Sequence, residues 1–339
     1  MKLIKTQEAV GHVLCHDLTQ IIKDQYKDAR FRKGHVVTEE DIPVLLSMGK
    51  EHLYVWEMTP GMLHENDCAE RLCALCANEH MDRSEVKEGK IELKAACDGL
   101  FRVNSEKLIA VNSIEDLMIA TRKGGTAVRK GDKLAGMRVI PLIIPEEKLR
   151  AAEDAAGTAP LLELKPWVRR TAAIVATGSE VKKGLIQDTF TPVVKDKLAA
   201  YGIETISVAY SGDGVENVAN AVKEARKTGA DVILCTGGMS VDPDDNTPGG
   251  IKASGAKIIT YGAPVLPGAM FLLGYYDDGT PVMGLPGCVM YAGATIFDLV
   301  LPFVAADVPV TRAQIVALGE GGLCLGCKPC HWPACPFGK

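Results

Sequence analysis

Three short segments combine glycine with hydroxyl side chains in a pattern suited to anion binding. They are Thr177-Gly178-Ser179-Glu180, Thr236-Gly237-Gly238-Met239-Ser240 and Gly284-Leu285-Pro286-Gly287. Glycine, lacking Cβ, lets backbone N–H groups approach a ligand closely, and Ser and Thr add neutral donors without bulk. A phosphate is the natural guest. Any one of these segments alone reads better as a tight turn, so the case rests on all three occurring together. Acidic residues occupy the same stretches: Glu180, Asp188, Asp213, Asp242, Asp244 and Asp245. Carboxylates repel a phosphate unless a hard cation lies between them, which predicts Mg²⁺ bridging phosphate and carboxylate oxygens. The competing reading is solvated loop acids and helix caps, and Asp188 and Asp245 are placed to serve as caps.

A second constellation lies at the C-terminal end. Four of the eleven cysteines, Cys324, Cys327, Cys330 and Cys335, follow the spacing C-x2-C-x2-C-x4-C and precede Pro336. Thiols this dense exceed any packing need. They fit an iron–sulfur cluster or a zinc ion, with four thiolates or with His331 replacing one; uncomplexed or transiently oxidised thiols are the third reading. Residues 319–322 read as a flexible hinge that lets this tail dock onto a partner. Cys68, Cys73 and Cys76 lie instead on an amphipathic stretch and read as core packing.

From Thr171 onward, short β-branched runs alternate with amphipathic ones, the pattern of a parallel sheet with crossover helices. Strands are expected at 172–177, 204–210, 231–235 and 257–261. Helices are expected from Thr191 to a stop at Gly202, over 215–227, and over 288–303, with a hairpin turn at Asp277-Asp278-Gly279. In such sheets ligands bind beyond the carboxyl ends of the strands, where the three glycine segments fall. The dipole of the helix expected after Gly287 would add to the same anion site. The first 150 residues lack this rhythm and read as a smaller mixed α+β region. It includes a helix from the capping pattern at Thr38 to Gly49, a strand at 53–56 and a helix at 65–80. The predicted class is therefore α/β, a three-layer sandwich with a mostly parallel sheet at 171–310. A mixed region at 1–150 and a linker at 151–170 precede it, and a Cys-rich tail at 311–339 follows.

The chain has 339 residues, 47% of them hydrophobic and 24% charged, with formal net charge -5. That balance provides no basic surface for a nucleic-acid backbone or an anionic membrane. The longest apolar stretch, 296–306, is broken by Asp298 and Pro302, so no membrane span is expected. The opening MKLIKTQEAV has no apolar signal core, and an odd cysteine total argues for reduced thiols, so a cytoplasmic protein is expected.

The glycine segments, Gly184-Leu185-Ile186-Gln187-Asp188, and Val241 with Asp245, in this order and spacing, resemble the molybdopterin-binding domain of molybdenum cofactor biosynthesis proteins over residues 171–305. The Gly-Leu-Pro-Gly signature is most similar to the molybdopterin molybdenumtransferase branch. The resemblance implies that Thr177, Gly178, Ser179, Thr236, Gly237, Gly238, Ser240, Gly284, Pro286 and Gly287 bind molybdopterin. It implies that Glu180, Asp188, Asp213 and Asp245 form the catalytic acidic set that holds Mg²⁺ or the nucleotide end. The implied reaction inserts molybdate into adenylylated molybdopterin and releases AMP, in a homo-oligomer that hands its product to a partner molybdoenzyme. Three features depart from the family: Val265-Leu266-Pro267-Gly268-Ala269-Met270 lacks the usual lysines, the Asp-Gly-Tyr-Ala segment expected in the N-terminal part is not found, and Cys288 replaces an Asn. A thiol at a helix N-terminus would have a lowered pKa. A non-catalytic carrier or sensor of the finished cofactor is the rival reading, and a nucleotide pyrophosphatase the third.

Overall fold

The computed structural model describes residues 2–22, 25–55, 60–243 and 245–339. Trp56 of the expected strand and Asp244 of the acidic group lie outside them. The chain forms two compact units. The first comprises Met1–Ala96, Val103–Arg122 and Lys130–Glu163, the second Cys97–Arg102, Lys123–Arg129 and Leu164–Lys339.

In the first unit, strands Met81–Arg83, Lys90–Ala95, Lys133–Val139 and Leu117–Thr121 form an antiparallel sheet in that order. Helix Glu65–Cys76 packs on it and buries Cys68, Leu72, Cys73 and Cys76. This helix stops short of the expected residue 80, because Ala77 is extended and His80 turns at φ 68° into the next strand. Helix Asp41–Ser47 starts where Asp41 Oδ2 accepts from the Thr38 N–H at 2.8 Å, and Gly49 at φ 73° ends it. The segment expected as a linker, 151–170, is folded. It contains the end of helix Glu146–Ala156, which buries Leu149, Ala152 and Ala156, and strand Leu162–Pro166. Its polar, Ala-rich composition is that of an amphipathic helix, whose buried face needs few large residues.

The second unit carries a six-stranded sheet: β1 (Thr171–Thr177), β2 (Glu204–Ser211), β3 (Val232–Thr236), β4 (Lys257–Tyr261), β5 (Leu272–Tyr275) and β6 (Pro281–Leu285), in the order β2-β1-β3-β6-β5-β4. β2, β1, β3 and β6 run parallel; β5 and β4 complete the sheet antiparallel. Successive side chains of a strand point to opposite faces, and here both faces are covered. Ala172, Ile174, Val232 and Leu234 join a core with α1 (Phe190–Ala199), α4 (Ile296–Ala305) and Phe271. Ala173, Val175, Ile233 and Cys235 join another with α2 (Val215–Lys227) and α3 (Thr247–Ala253). The three-layer α/β architecture follows from that alternation. α2 and α3 pack so closely that a Cβ at Gly250 would stand 2.4 Å from Val218 Cβ.

Two expectations about the end of the chain are corrected. The helix expected over 288–303 is divided: a short 3-10 turn, Gly287–Met290, precedes α4, which starts only where Thr295 and Asp298 cap each other. The third glycine segment therefore leads into no long helix, and no helix dipole points at it. Residues 319–322 are no free hinge. After α5 (Arg312–Ala317), Leu266 and Cys324 exchange 2.8 Å backbone hydrogen bonds with the 322–324 segment and Leu266 respectively, and Gly338 N–H donates to Gly321 O at 2.9 Å. Phe337 is only 3% exposed and belongs to the α1/α4 core.

At the amino-terminal edge of the sheet, Asp231 Oδ2 accepts from the N–H groups of Arg170 (2.7 Å) and Thr171 (2.9 Å) and from the Thr171 hydroxyl (3.0 Å). Burial pushes this carboxyl up, but these donors outweigh it and hold it below the ordinary value. A depressed carboxylate contributes stability above its unfolded pKa of about 3.9 and loses it as pH falls toward the folded pKa. Asp231→Asn is expected to lower the urea midpoint at neutral pH, with the gap from wild type narrowing below about pH 4. A gap independent of pH would contradict this role.

Candidate functional site

The strand register builds the site. Thr177 pairs with Ser211 across β1 and β2, Ala176 with Thr236 across β1 and β3, and Thr236 with Leu285 across β3 and β6. The three glycine segments thus leave neighbouring parallel strands at the same carboxyl end.

Beneath them lies a buried threonine knot. The Thr177 hydroxyl donates to Thr236 O at 3.0 Å and lies 2.9 Å from the Thr247 hydroxyl, which then donates to it; none of the three residues is more than 6% exposed. Gly237 (φ 83°) and Gly238 (φ 55°) pass directly over the knot. A Cβ at Gly237 would stand 2.3 Å from Thr177 O, and one at Gly238 would stand 2.7 Å from Thr247 Oγ1. Both the conformation and the clearance demand glycine. Thr247 escaped the sequence reading; its signal is the Thr-Pro start of α3.

In the first segment, Gly178 at φ 135° donates to Ser211 O at 3.1 Å, and one helical turn, Ser179–Lys182, follows. Ser179 N–H donates to Asp213 Oδ2 at 3.2 Å, tying the first segment to the end of β2. Glu180 folds its carboxylate toward Gly178, 3.0 Å from where a Cβ would be. In the second segment, Met239 is buried and Ser240 exposed, and the Tyr261 hydroxyl holds the Met239 carbonyl at 2.9 Å. Gly284 faces Met239 so closely that a Cβ would stand 2.5 Å from its sulfur. Because Gly284 and Leu285 belong to β6, only Pro286 and Gly287 of the third segment extend beyond the sheet.

The acids play different parts. Asp188 Oδ1 caps α1, accepting from the N–H groups of Phe190 (3.0 Å) and Thr191 (2.9 Å). Its Oδ2 is buried and has no hydrogen-bond partner among the described residues. Burial raises the Asp188 carboxyl, but its contacts with Thr191, Phe190 and Tyr210 outweigh that, so it stays below its ordinary value. Asp245 does not cap α3; Asn246 holds the N-cap position, with no side-chain capping bond to the helix, and Asp245 N–H donates to Asp242 O at 2.9 Å. Among the described residues, no three His, Cys, Asp or Glu side chains are gathered as a metal cage. That statement includes the C-terminal thiols: Cys324 and Cys335 are half-buried against the α1/α4 core, while Cys327 and Cys330 are exposed. Cys288 is no activated thiol either. It lies in the 3-10 turn, and burial pushes it up.

The surroundings add two features absent from the sequence reading. Lys182 and Lys183 are exposed cations just after the first segment. Apolar side chains also face solvent in the stretches flanking the segments: Leu185 at 73%, Val241 at 82% and Tyr291 at 80%. Glycine-rich strand ends beside exposed apolar side chains suit a ligand with an anionic group and a flat organic body. Two clefts lie elsewhere and include no residue of the three segments. One, of about 560 Å³, is lined by Arg30, Arg32, His35 and Asp41. The other, of about 700 Å³, is lined by Arg169, Lys223, Arg226 and Asp278.

Residues 173–306 match the family model of a probable molybdopterin binding domain. Residues 3–57 match a domain of unknown function. A CinA-like protein of Desulfosudis oleivorans is 38% identical over 86 residues, 25% of this chain and 21% of that protein. One of Mycobacterium avium is 32% identical over 80 residues, 24% and 18% respectively. The chain thus spans about a fifth of the length of the curated relatives it matches. Among solved structures, MogA is 24% identical, with 40% of this chain and 92% of that chain covered and a TM-score of 0.34. CinA of Thermoplasma acidophilum is 17% identical, with 40% and 98% covered and a TM-score of 0.34. No described helix is long and apolar enough to cross a membrane.

The glycine segments at the carboxyl end of the sheet depend on the threonine knot. Thr177→Val, which leaves buried Thr236 O and Thr247 Oγ1 without their partner, is expected to cost about 1–3 kcal/mol in urea unfolding. Gly237→Ala is expected to cost more, because its Cβ meets backbone oxygen at a positive φ. An unchanged midpoint in both would contradict the role of the knot.

Proposed function

We propose that this protein acts in molybdenum cofactor biosynthesis, binding molybdopterin at the carboxyl end of β1, β3 and β6 as a molybdopterin molybdenumtransferase. The observation that carries this reading is the register that sets three glycine segments side by side, within the stretch matching a molybdopterin-binding domain. The amides of 177–180 and 236–240 would hold the pterin phosphate, with Lys182 and Lys183 offsetting its charge. Leu185, Val241 and Tyr291 would flank the ring system.

The buried, unpartnered Asp188 Oδ2 is the oxygen best placed to accept a cation. Mg²⁺ fits such a site because it usually takes one or two carboxylates and completes its shell with phosphate oxygens and water. Bound there, it would neutralise charge on the adenylyl phosphate. Asp213 positions Ser179, and Glu180 and Asp245 border the site where the adenylyl end and molybdate would meet. Assembly as a homo-oligomer and transfer to a partner molybdoenzyme belong to the same proposal.

One observation favours a second reading, a non-catalytic carrier of the cofactor. The Pro-Gly segment 265–270 has no lysine for molybdate, and Leu266 is engaged by the C-terminal residues through its backbone. Incubation with adenylylated molybdopterin, Mg²⁺ and molybdate separates the two. The transferase releases AMP only when molybdate is present; a carrier binds the pterin and releases none. Asp188→Asn keeps a carbonyl oxygen for the α1 cap while removing the charge. It is expected to slow AMP release by about a hundredfold, the scale of losing one group that stabilises developing charge. Undiminished release would remove Asp188 from the site.

A further inference from the structure

The C-terminal thiols remain unexplained by the pterin site. Beyond α5 no helix or strand forms, yet the segment is held at both ends. At its start, Leu323 bridges Leu266 in parallel, and Cys324 N–H donates to Leu266 O at 2.8 Å. At its end, Phe337 is buried in the α1/α4 core, and Gly338 donates to Gly321 O at 2.9 Å. A Cβ at Gly338 would stand 2.4 Å from Leu299 Cδ2, so the close seating requires glycine there.

This arrangement closes the strap into a loop before any ligand arrives. Cys324 and Cys335 lie just inside its two closed ends, and both pack on the same core. Cys327 and Cys330 lie in the middle and are exposed. The contrast with Cys68, Cys73, Cys76 and Cys235 is informative, since those four are buried to within 1% exposure and are accounted for by packing. Exposed thiols gain nothing from burial, and Gly326 at φ 66° turns the chain between the first two. The entropy of bringing residues 321 and 338 together is already met by the fold, which lowers the cost of gathering four ligands between them.

We propose that Cys324, Cys327, Cys330 and Cys335 form a thiolate site for a thiophilic metal, as a single zinc ion or an iron–sulfur cluster, that clasps the C-terminal strap. Uptake brings the exposed middle of the strap onto its two anchored ends. Four thiols binding one Zn²⁺ release four protons to solvent, and no electron transfer is needed. Iron–sulfur assembly requires ferrous iron, ferric iron and sulfide as added reactants: two ferrous and two ferric ions with four sulfides give a 4Fe–4S cluster in its 2+ state, the ferric ions supply the oxidising equivalents, and the four thiols release four protons. Because Leu323 pairs with Leu266, and the Cys330 sulfur lies 2.8 Å from where a Cβ at Gly293 would be, the clasp also grips the 265–268 segment and the residues following the 3-10 turn.

The test uses the full chain, purified anaerobically under reducing conditions, in two reconstitutions. One adds Co²⁺ and then Zn²⁺. The other adds equal amounts of ferrous and ferric iron with sulfide. The expected result is either one Co²⁺ per chain with tetrahedral thiolate absorption that Zn²⁺ displaces, or stoichiometric iron and acid-labile sulfide with cluster absorption. The first identifies a zinc-type site and the second a cluster. Cys327→Ala/Cys330→Ala, at exposed positions that leave the core intact, should abolish the signal with an unchanged metal-free melting temperature. Cys97→Ala, outside the strap, should retain it. Failure of both reconstitutions would overturn the proposal, as would undiminished binding by the double variant. Neither readout uses pterin, so the transferase reading can fail while the clasp stands.

Discussion

The Thr177 hydroxyl is the contact on which the candidate site depends. It joins β1 to the end of β3 through Thr236 O and joins both to the start of α3 through Thr247. The parallel register brings the strand ends level, but the shared hydroxyls fix how the chain leaves them. Gly237 and Gly238 can then pass over the knot, since neither has a Cβ to collide with it. Prearranged N–H groups need little reorganisation when an anion arrives. The acids hold this frame as much as they decorate it: Asp188 caps α1, and Asp213 joins the first segment to β2.

Much of the second unit was legible because its elements are strongly patterned. α2 and β4 fall where periodicity put them, and β1 and β3 differ by a residue at one or both ends. The 288–303 stretch misled because it is apolar almost throughout. Its true start is set by the reciprocal Thr295–Asp298 cap, a local signal that hydrophobic periodicity outweighs. The strap misled differently: the glycines of 319–322 read as a flexible hinge, whereas Gly322 and Gly338 permit close seating against backbone and Leu299. Pairwise features such as the Thr177–Thr247 contact join residues 70 apart in sequence, so no local pattern could show them.

The two polar systems of this unit share a boundary. Asp188 and the glycine segments form one, and the strap with Leu266 and Gly293 forms the other. The Thr189 hydroxyl lies 3.6 Å from the Met290 sulfur, which brings the 3-10 turn against the Asp188 loop. The first unit, with its own sheet and its Arg30/Arg32 cleft, supplies none of the residues in this frame.

The most direct test of the account is a crystal structure of the full chain with molybdopterin bound. The phosphate is predicted to accept from the amides of the 177–180 and 236–240 segments, above the Thr177–Thr247 contact. A phosphate bound instead in the Arg30/Arg32 cleft or the Lys223/Arg226 cleft would contradict it.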